Sequence, residues 1–147
     1  MPVIKNQDSA KNAGDSPGLE VRVMIEAEQG GQSLSMGEIT FAPNTRLHRH
    51  IHANTEEAVV VLEGTLDAIV GRGRVPIGTG DTVLTPAGTI HGFLNRSGAP
   101  AKLLYVYPTH HVENVLANEP RSTAGFASES GLKGHASPGD RPLDKKP

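Results

Sequence analysis

Residues 48–57 read His-Arg-His-Ile-His-Ala-Asn-Thr-Glu-Glu, and this stretch decides the fold prediction for the whole chain. Successive side chains of a β-strand point to opposite faces, so residues two apart share a face. In an extended strand His48, His50 and His52 would therefore point the same way, and Glu57 would return on the next strand. Imidazole nitrogens and a carboxylate oxygen together suit a divalent first-row metal. The stretch predicts β-structure that carries a metal site.

Short alternating or β-branched runs, separated by Gly, Pro and Asn, lie on both sides of this stretch. They predict eight strands, at 20–25, 33–42, 46–50, 57–62, 66–70, 82–85, 92–95 and 102–107. The apolar parity changes within 33–42, and a bulge near Gly37 would reconcile the two halves. Eight strands at this spacing predict an all-β fold, either a closed barrel or a jelly roll.

Both ends of the chain differ in composition from this central part. Residues 1–18 are polar and predict a flexible leader, and the barrel is expected to occupy 19–110. Residues 111–118 could form a short helix, and the rest, up to 147, is a low-complexity tail rich in Ser, Gly, Pro and charge. Disorder and packing across a neighbouring subunit are both open for this tail. His110 and His111 follow the barrel directly, where either a surface or a lid position is open.

The composition excludes several classes of protein. The 147 residues fit one domain, and 14 Lys and Arg against 16 Asp and Glu leave no basic stripe for nucleic acid. No apolar run approaches the roughly 20 residues of a membrane span, and no apolar signal-peptide core is present. The absence of cysteine excludes disulfides, thiolate ligands and a cysteine nucleophile. We therefore expect a cytoplasmic protein. Exposed edge strands favour a homodimer in which an N-terminal strand pairs with the partner's sheet.

Two spaced motifs frame the predicted site. The first reads His50-x-His52-x4-Glu57-x6-Gly64, and the second reads Gly80-x5-Pro86-x-Gly88-x2-His91-x3-Asn95. Together they closely resemble the two signature motifs of the cupin superfamily, separated here by the 15 residues 65–79. One departure is Asn44, where the first motif of the family usually begins with glycine. Asn tolerates positive φ better than most residues, so we expect the turn to form.

The resemblance implies a cupin-type, jelly-roll-like barrel (a double-stranded β-helix) with flexible ends and one bound divalent metal. The implied metal ligands are His50, His52, Glu57 and His91. Glu56 competes with Glu57, but the six-residue spacing to Gly64 favours Glu57. Three imidazoles and one carboxylate would leave one or two positions open for water or substrate, as in catalytic sites.

Cupins include dioxygenases, isomerases, lyases, decarboxylases, cyclases and non-enzymatic binders, so the fold does not dictate the reaction. We favour a dioxygenase-type oxidoreductase that acts on a small organic molecule with iron, although Mn, Ni and Zn are open. The alternatives are a non-redox lyase, isomerase or cyclase, and a non-catalytic module that binds a metabolite or a metal.

The candidate catalytic residues are His48, Glu57 and Tyr105. Glu57 could detach from the metal to act as a base, and His48 or a tyrosine could move protons. The family motif does not demand His48, so a position near the barrel mouth without a chemical role is equally open for it. Tyr105 and Tyr107 alternate inward together on the last strand, where core filling competes with a role in proton donation.

Overall fold

The computed structural model describes residues 3–5 and 11–117, and within them eleven β-strands form two antiparallel sheets. The strands are β1 (Lys11–Ala13), β2 (Leu19–Ile25), β3 (Ser35–Phe41), β4 (Arg46–Ile51), β5 (Glu57–Glu63), β6 (Thr65–Val70), β7 (Gly73–Gly78), β8 (Thr82–Thr85), β9 (His91–Leu94), β10 (Ala101–Tyr107) and β11 (Val115–Leu116). The larger sheet has the order β1-β2-β3-β10-β5-β8, and the smaller has the order β11-β4-β9-β6-β7. The all-β barrel of jelly-roll type predicted from the sequence is confirmed.

The hydrophobic core lies between the two sheets. Its alternation is clearest in β3, where every second residue from Ser35 to Phe41 is buried and those between are partly exposed. Valine, leucine, isoleucine and alanine supply most of the core, as the scarcity of aromatic residues requires. The buried apolar residues are Leu19, Ile39, Phe41, Val59, Val61, Leu66, Ala68, Ile77, Phe93, Ala101 and Leu103. The core therefore draws on strands of both sheets and holds them face to face.

Helical structure is minimal. Among the described residues the helical element is a 3-10 turn at Ala27–Gln29. No helix in this part of the chain has the length and apolar character needed to cross a membrane.

All eight predicted strands are present, and three further strands were not predicted from the sequence. Strand β7 contains Pro76, which argues against a central strand; however, β7 is an edge strand, where a missing N–H is tolerated. Strand β1 lies within the stretch expected to be a leader and pairs with β2. The short helix expected from residue 111 is absent from 111–117, where Val115 and Leu116 instead form β11 against β4.

The bulge expected near Gly37 is in the neighbouring strand. The register between β2 and β3 shifts between Val23 and Ile25, so Met24 is the extra residue, and β3 itself stays regular. Gly37 remains in register because it has no side chain: a Cβ there would lie 2.6 Å from Cζ of the inward-facing Tyr105. Asn44 has the positive φ, 56°, that the turn requires.

Some expectations lie outside the described residues. These are the leader at 1–2 and 6–10, residue 118 of the expected helix, and the tail at 119–147. The homodimer stays a prediction. In the described chain β1 pairs on one side with β2 and forms one outer edge of the larger sheet.

Candidate metal centre

Four buried side chains from both sheets converge inside the barrel. His50 lies in β4 and faces His91 of β9 across the antiparallel pair, while His52 directly follows β4 and Glu57 begins β5. The ring centroids are 4.3 Å apart for His50 and His91, 4.8 Å for His50 and His52, and 5.0 Å for His52 and His91. One ligand atom from each of the four residues lies within 4.8 Å of the others. These are the four residues that the sequence motifs indicated; Glu56 is exposed.

The structure does not bring His48 to this cluster. Leu47 pairs with Phe93 and His50 pairs with His91, so β4 has two residues where β9 has only one, Gly92. This bulge breaks the two-residue period between His48 and His50 on which the predicted common face rested. Leu47, rather than His48, lines the cavity beside the cluster. The assumption that all three imidazoles share a face is therefore wrong, and a catalytic role for His48 stays a prediction.

Glycine at position 92 is what the bulge requires. A Cβ on Gly92 would lie 2.9 Å from the carbonyl oxygen of Leu47 and 3.3 Å from Cα of Arg49. Any other residue would push the two backbones apart at the point where β4 presents His50 to His91. The sequence contains this signal, a glycine directly after a motif histidine, but its meaning depends on the strand pairing.

Each histidine of the cluster has its Nδ1 atom at a backbone carbonyl oxygen. The distances are 2.7 Å from His50 to His48 O, 2.8 Å from His91 to Thr89 O, and 3.1 Å from His52 to Glu113 O. Because a carbonyl only accepts, each Nδ1 carries a proton, and Nε2 is the nitrogen of each ring that remains to bind a metal. A metal-binding histidine has this arrangement, with a second hydrogen bond that sets its tautomer and ring orientation.

Glu57 completes the donor set. Its Oε2 lies 2.8 Å from Nε2 of His91 and 4.0 Å from Nε2 of His52. Neither Oε2 of Glu57 nor Nε2 of His91 has a hydrogen-bond partner with acceptable geometry, although both atoms are buried. At 2.8 Å these two buried atoms need a positive charge, which either a proton on His91 Nε2 or a metal ion beside both atoms supplies. The four residues therefore fit a divalent metal ion, with nitrogen and carboxylate donors of the borderline type.

The electrostatics of the cluster suit the same role. Burial lowers the pKa of His50 and of His52 below the ordinary value, which favours the neutral, ligating imidazole. Burial alone would raise the pKa of Glu57, but His91 and Tyr107 hold it below the ordinary value, so the carboxylate is ionised. Burial would lower the pKa of His91, but the Glu57 carboxylate outweighs it and raises that pKa. Without a metal, a proton on His91 therefore balances the charge of Glu57.

Tyr107, which the sequence placed beside Tyr105 on the inward face but which was not chosen as a catalytic candidate, contacts the cluster directly. Its hydroxyl donates to Oε1 of Glu57 at 2.8 Å and lies 3.1 Å from Nε2 of His52. Burial raises its pKa, so the phenol keeps its proton and remains a donor. Tyr105, the predicted tyrosine, shares the inward face but lies two residues earlier in β10. The ring centroids of Tyr105 and Tyr107 are 5.3 Å apart. Burial raises the pKa of Tyr105 to about 12. The alternation of side chains along the strand indicated both tyrosines, but the choice between them required the register of β10.

A cavity of about 480 Å³ opens beside His52 and Glu57. Its lining combines apolar and polar side chains in about equal number, together with the two tyrosines. The lining residues are Val21, Val23, Ile25, Glu26, Ser35, Met36, Ile39, Leu47, His52, Glu57, Tyr105, Tyr107, His110, His111, Val112 and Asn114. No lysine or arginine is among these described lining residues.

The segment 108–117, here called the strap, crosses the mouth of this cavity. His110, His111, Val112 and Asn114 of the strap line the cavity wall. The strap is held at its start by the Ser35 hydroxyl, which donates to Thr109 O at 2.7 Å, and at its end by β11 against β4. His110 and His111 are both exposed and both line the cavity, and a lid role for them stays a prediction.

Comparison with known proteins supports the same assignment. The Cupin domain family matches residues 37–107. The polyketide cyclase RemF from Streptomyces resistomycificus is 22% identical, with a TM-score of 0.71 over 82% of this chain and 87% of that chain. A sugar phosphate isomerase from a cupin superfamily, from Silicibacter pomeroyi, is 27% identical, with a TM-score of 0.62 over 73% and 75% of the two chains.

A predicted oxalate decarboxylase from Thermotoga maritima is 18% identical, with a TM-score of 0.66 over 74% of this chain and 99% of that chain. No curated protein sequence matches the chain. These structural similarities concern the fold, because the three proteins, a cyclase, an isomerase and a predicted decarboxylase, differ in activity. The two motifs, the two-sheet barrel and the family match together show that residues 37–107 form a cupin domain, with a candidate metal site at His50, His52, Glu57 and His91.

Proposed function

We propose that this protein is a metal-dependent enzyme that acts on a small organic molecule, in a dioxygenase-type reaction. The observation that carries the proposal is the position of the buried three-histidine, one-carboxylate cluster at the wall of a cavity of about 480 Å³ that is lined by both aliphatic and polar side chains. Cavities of this size hold a small ligand. A cluster that served structure alone would have no reason to border such a space.

The residues of the site have three roles, which are metal binding, orientation of the ligands and exclusion of water. His50, His52 and His91 present Nε2, and Glu57 presents its carboxylate, which leaves one or two positions free on a five- or six-coordinate ion. A bound metal supplies either joint binding of O₂ and a chelating substrate or polarisation of a substrate carbonyl. Tyr107 orients Glu57 through its hydrogen bond of 2.8 Å. The aliphatic part of the lining keeps water from the reacting groups.

The cavity lining narrows the substrate class. Phosphate and dicarboxylate groups are commonly bound by lysine or arginine, and the described lining residues include neither. The mixed lining favours a substrate that has an apolar or aromatic part to contact the aliphatic residues and one or two oxygen atoms that reach the metal. A polar edge could meet Ser35, Glu26 or Asn114, which also line the cavity.

One observation favours a second candidate, a non-redox cyclase, isomerase or lyase. The Tyr107 hydroxyl lies 3.1 Å from Nε2 of His52, on the side where the cluster faces the cavity. Its raised pKa keeps the proton on the phenol, and this proton would reach a substrate oxygen if the hydroxyl turned away from Glu57, to which it donates here. Tyr105 lines the same wall and could serve the same purpose.

Metal analysis followed by substrate screening tests the proposal. The full-length protein is purified without added metal, its metal content is measured, and O₂ uptake is followed with phenolic and enolic substrates. Iron with substrate-dependent O₂ uptake supports the dioxygenase. Zinc or nickel with anaerobic turnover supports the non-redox enzyme. Tight metabolite binding without turnover under any metal would overturn both and favour a binding module.

A matched pair of variants ties the result to the site. Glu57→Gln is expected to lose most metal and all turnover. Glu56→Gln, at the exposed neighbouring position, is expected to keep both. Equal loss in the two variants would contradict the assignment of Glu57.

A further inference from the structure

One of the three histidines depends on a part of the chain outside the barrel. His50 and His91 each place Nδ1 at the carbonyl oxygen two residues earlier, His48 O and Thr89 O. His52 instead uses Glu113 O, 61 positions away and within the strap. The strap lies beyond residues 37–107, which match the Cupin domain family. The orientation of His52 is therefore set by a segment outside the matched domain.

Asn54 fastens this part of the strap. Its Nδ2 donates to His111 O at 2.8 Å, and its Oδ1 accepts from the Glu113 N–H at 2.9 Å. A single side-chain amide thus satisfies two backbone groups of the strap, one on either side of Val112. Farther along, the Ala117 N–H donates to Arg49 O at 2.9 Å, and Val115 and Leu116 pair with β4. Glu113 is consequently held from both directions.

We propose that Asn54 is a positioning residue of the metal centre, which holds the strap so that the Glu113 carbonyl fixes the tautomer and orientation of His52. The inference rests on the proposed metal-dependent function and adds a residue that touches neither metal nor substrate. Asn54 lies in the turn between His52 and Glu57, inside the variable part of the first motif. Its neighbours on the strap, His111 and Val112, line the cavity, so the same contact joins metal binding to the wall of the cavity.

The carbonyl of Glu113 acts in this arrangement, and its carboxylate does not. The Glu113 side chain is exposed, and the contacts to His52 and Asn54 use the backbone oxygen and nitrogen. Replacement of Glu113 by alanine keeps both backbone groups. This substitution therefore provides a control within the same strap. Asn54 is also exposed, so its replacement leaves the core intact.

The test compares full-length wild type, Asn54→Ala, Asn54→Asp and Glu113→Ala after metal removal with a chelator. Each protein is titrated with Co²⁺, and the dissociation constant and visible absorption spectrum are recorded. Loss of the partner of a metal-binding histidine weakens affinity 10–100-fold, and Asn54 acts through the strap, so we expect about tenfold for Asn54→Ala. The Co²⁺ bands should shift as well, because His52 is no longer held in one orientation.

The other two variants separate positioning from a general loss of structure. Asn54→Asp still accepts from the Glu113 N–H but cannot donate to His111 O, so an intermediate affinity is expected. Glu113→Ala should match wild type in affinity and spectrum. Hydrogen exchange at the Glu113 and Ala117 amides should be faster in Asn54→Ala, while exchange in β5 and β10 stays unchanged.

Three results would overturn the inference. Wild-type affinity and spectrum in Asn54→Ala would show that the strap contact does not position His52. A loss in Glu113→Ala as large as in Asn54→Ala would assign the effect to the carboxylate. A wild type that binds no Co²⁺ would overturn the metal site itself and this inference with it, whereas the first two results leave the metal site standing.

Discussion

The two halves of the candidate metal centre are held in different ways. The half around His91 is fixed from within the barrel, because the Thr89 carbonyl orients the ring and the buried Asn95 ties down the end of β9. The half around His52 is completed by the strap and by Tyr107 of β10. Local sequence and core packing thus secure one half, while long-range contacts at the mouth of the barrel secure the other. Loss of the contacts that support the first half should lower the free energy of unfolding or abolish the metal site. Loss of the contacts that support the second half should weaken metal affinity.

Removal of a ligand from either half should have the largest effect. His91→Ala and His52→Ala are each expected to remove most of the bound metal, because three donors do not hold the ion as four do. Both barrels should remain folded by circular dichroism. Elemental analysis of the purified variants provides the measurement, and unchanged metal stoichiometry in both would refute the site assignment.

Asn95 tests the interior support of the His91 half. Its Nδ2 donates to Ala99 O at 2.8 Å and Ala42 O at 3.1 Å, and its Oδ1 accepts from the Ser97 N–H and hydroxyl. Asn95→Ala removes a fully buried amide together with its hydrogen bonds, so we expect the free energy of unfolding to fall by about 3 kcal/mol. Urea unfolding measures the loss. The exposed Asn54→Ala should change it by less than about 1 kcal/mol. Equal losses would remove the contrast between the halves.

Tyr107 tests the half around His52 through its contact with the Glu57 carboxylate. Tyr107→Phe removes the donor to Oε1 of Glu57, and we expect metal affinity to weaken about tenfold, as for other partners of metal-binding groups. Because burial raises the pKa of Tyr107, the phenol stays protonated, and the difference between the two proteins should not vary with pH in the neutral range. Tyr105→Phe is the control for metal affinity. A tenfold loss in Tyr105→Phe and none in Tyr107→Phe would reverse the assignment.

The smallest effect on metal binding is expected at His48. His48→Ala keeps the backbone carbonyl that orients His50, and the side chain does not line the cavity. Metal stoichiometry and affinity should therefore equal those of wild type, by the same titration. Loss of metal in His48→Ala would show that the His48 imidazole takes part in metal binding. Reduced turnover with unchanged metal binding would support the predicted catalytic role.

The sequence predicted the ligands more reliably than the surroundings that orient them. His50, His52, Glu57 and His91 follow from spacing, because two strands and two turns bring such positions together in any barrel with these motifs. His48 shows where spacing fails: parity assumes a regular strand, and the bulge opposite Gly92 breaks it. Strand β7 was missed because Pro76 argues against a strand until the strand is known to be at an edge.

The all-β fold, the barrel and the four candidate metal ligands could be determined from the sequence alone, because alternation, turn residues and motif spacing are local along the chain. The choice of Tyr107 over Tyr105 at Glu57, the position of His48 away from the cluster and the use of Glu113 to orient His52 were decided only by the tertiary structure. Each of these depends on the register between strands or on a contact across many tens of residues. Every residue has a backbone carbonyl, so the sequence does not indicate that the carbonyl of Glu113 has this role.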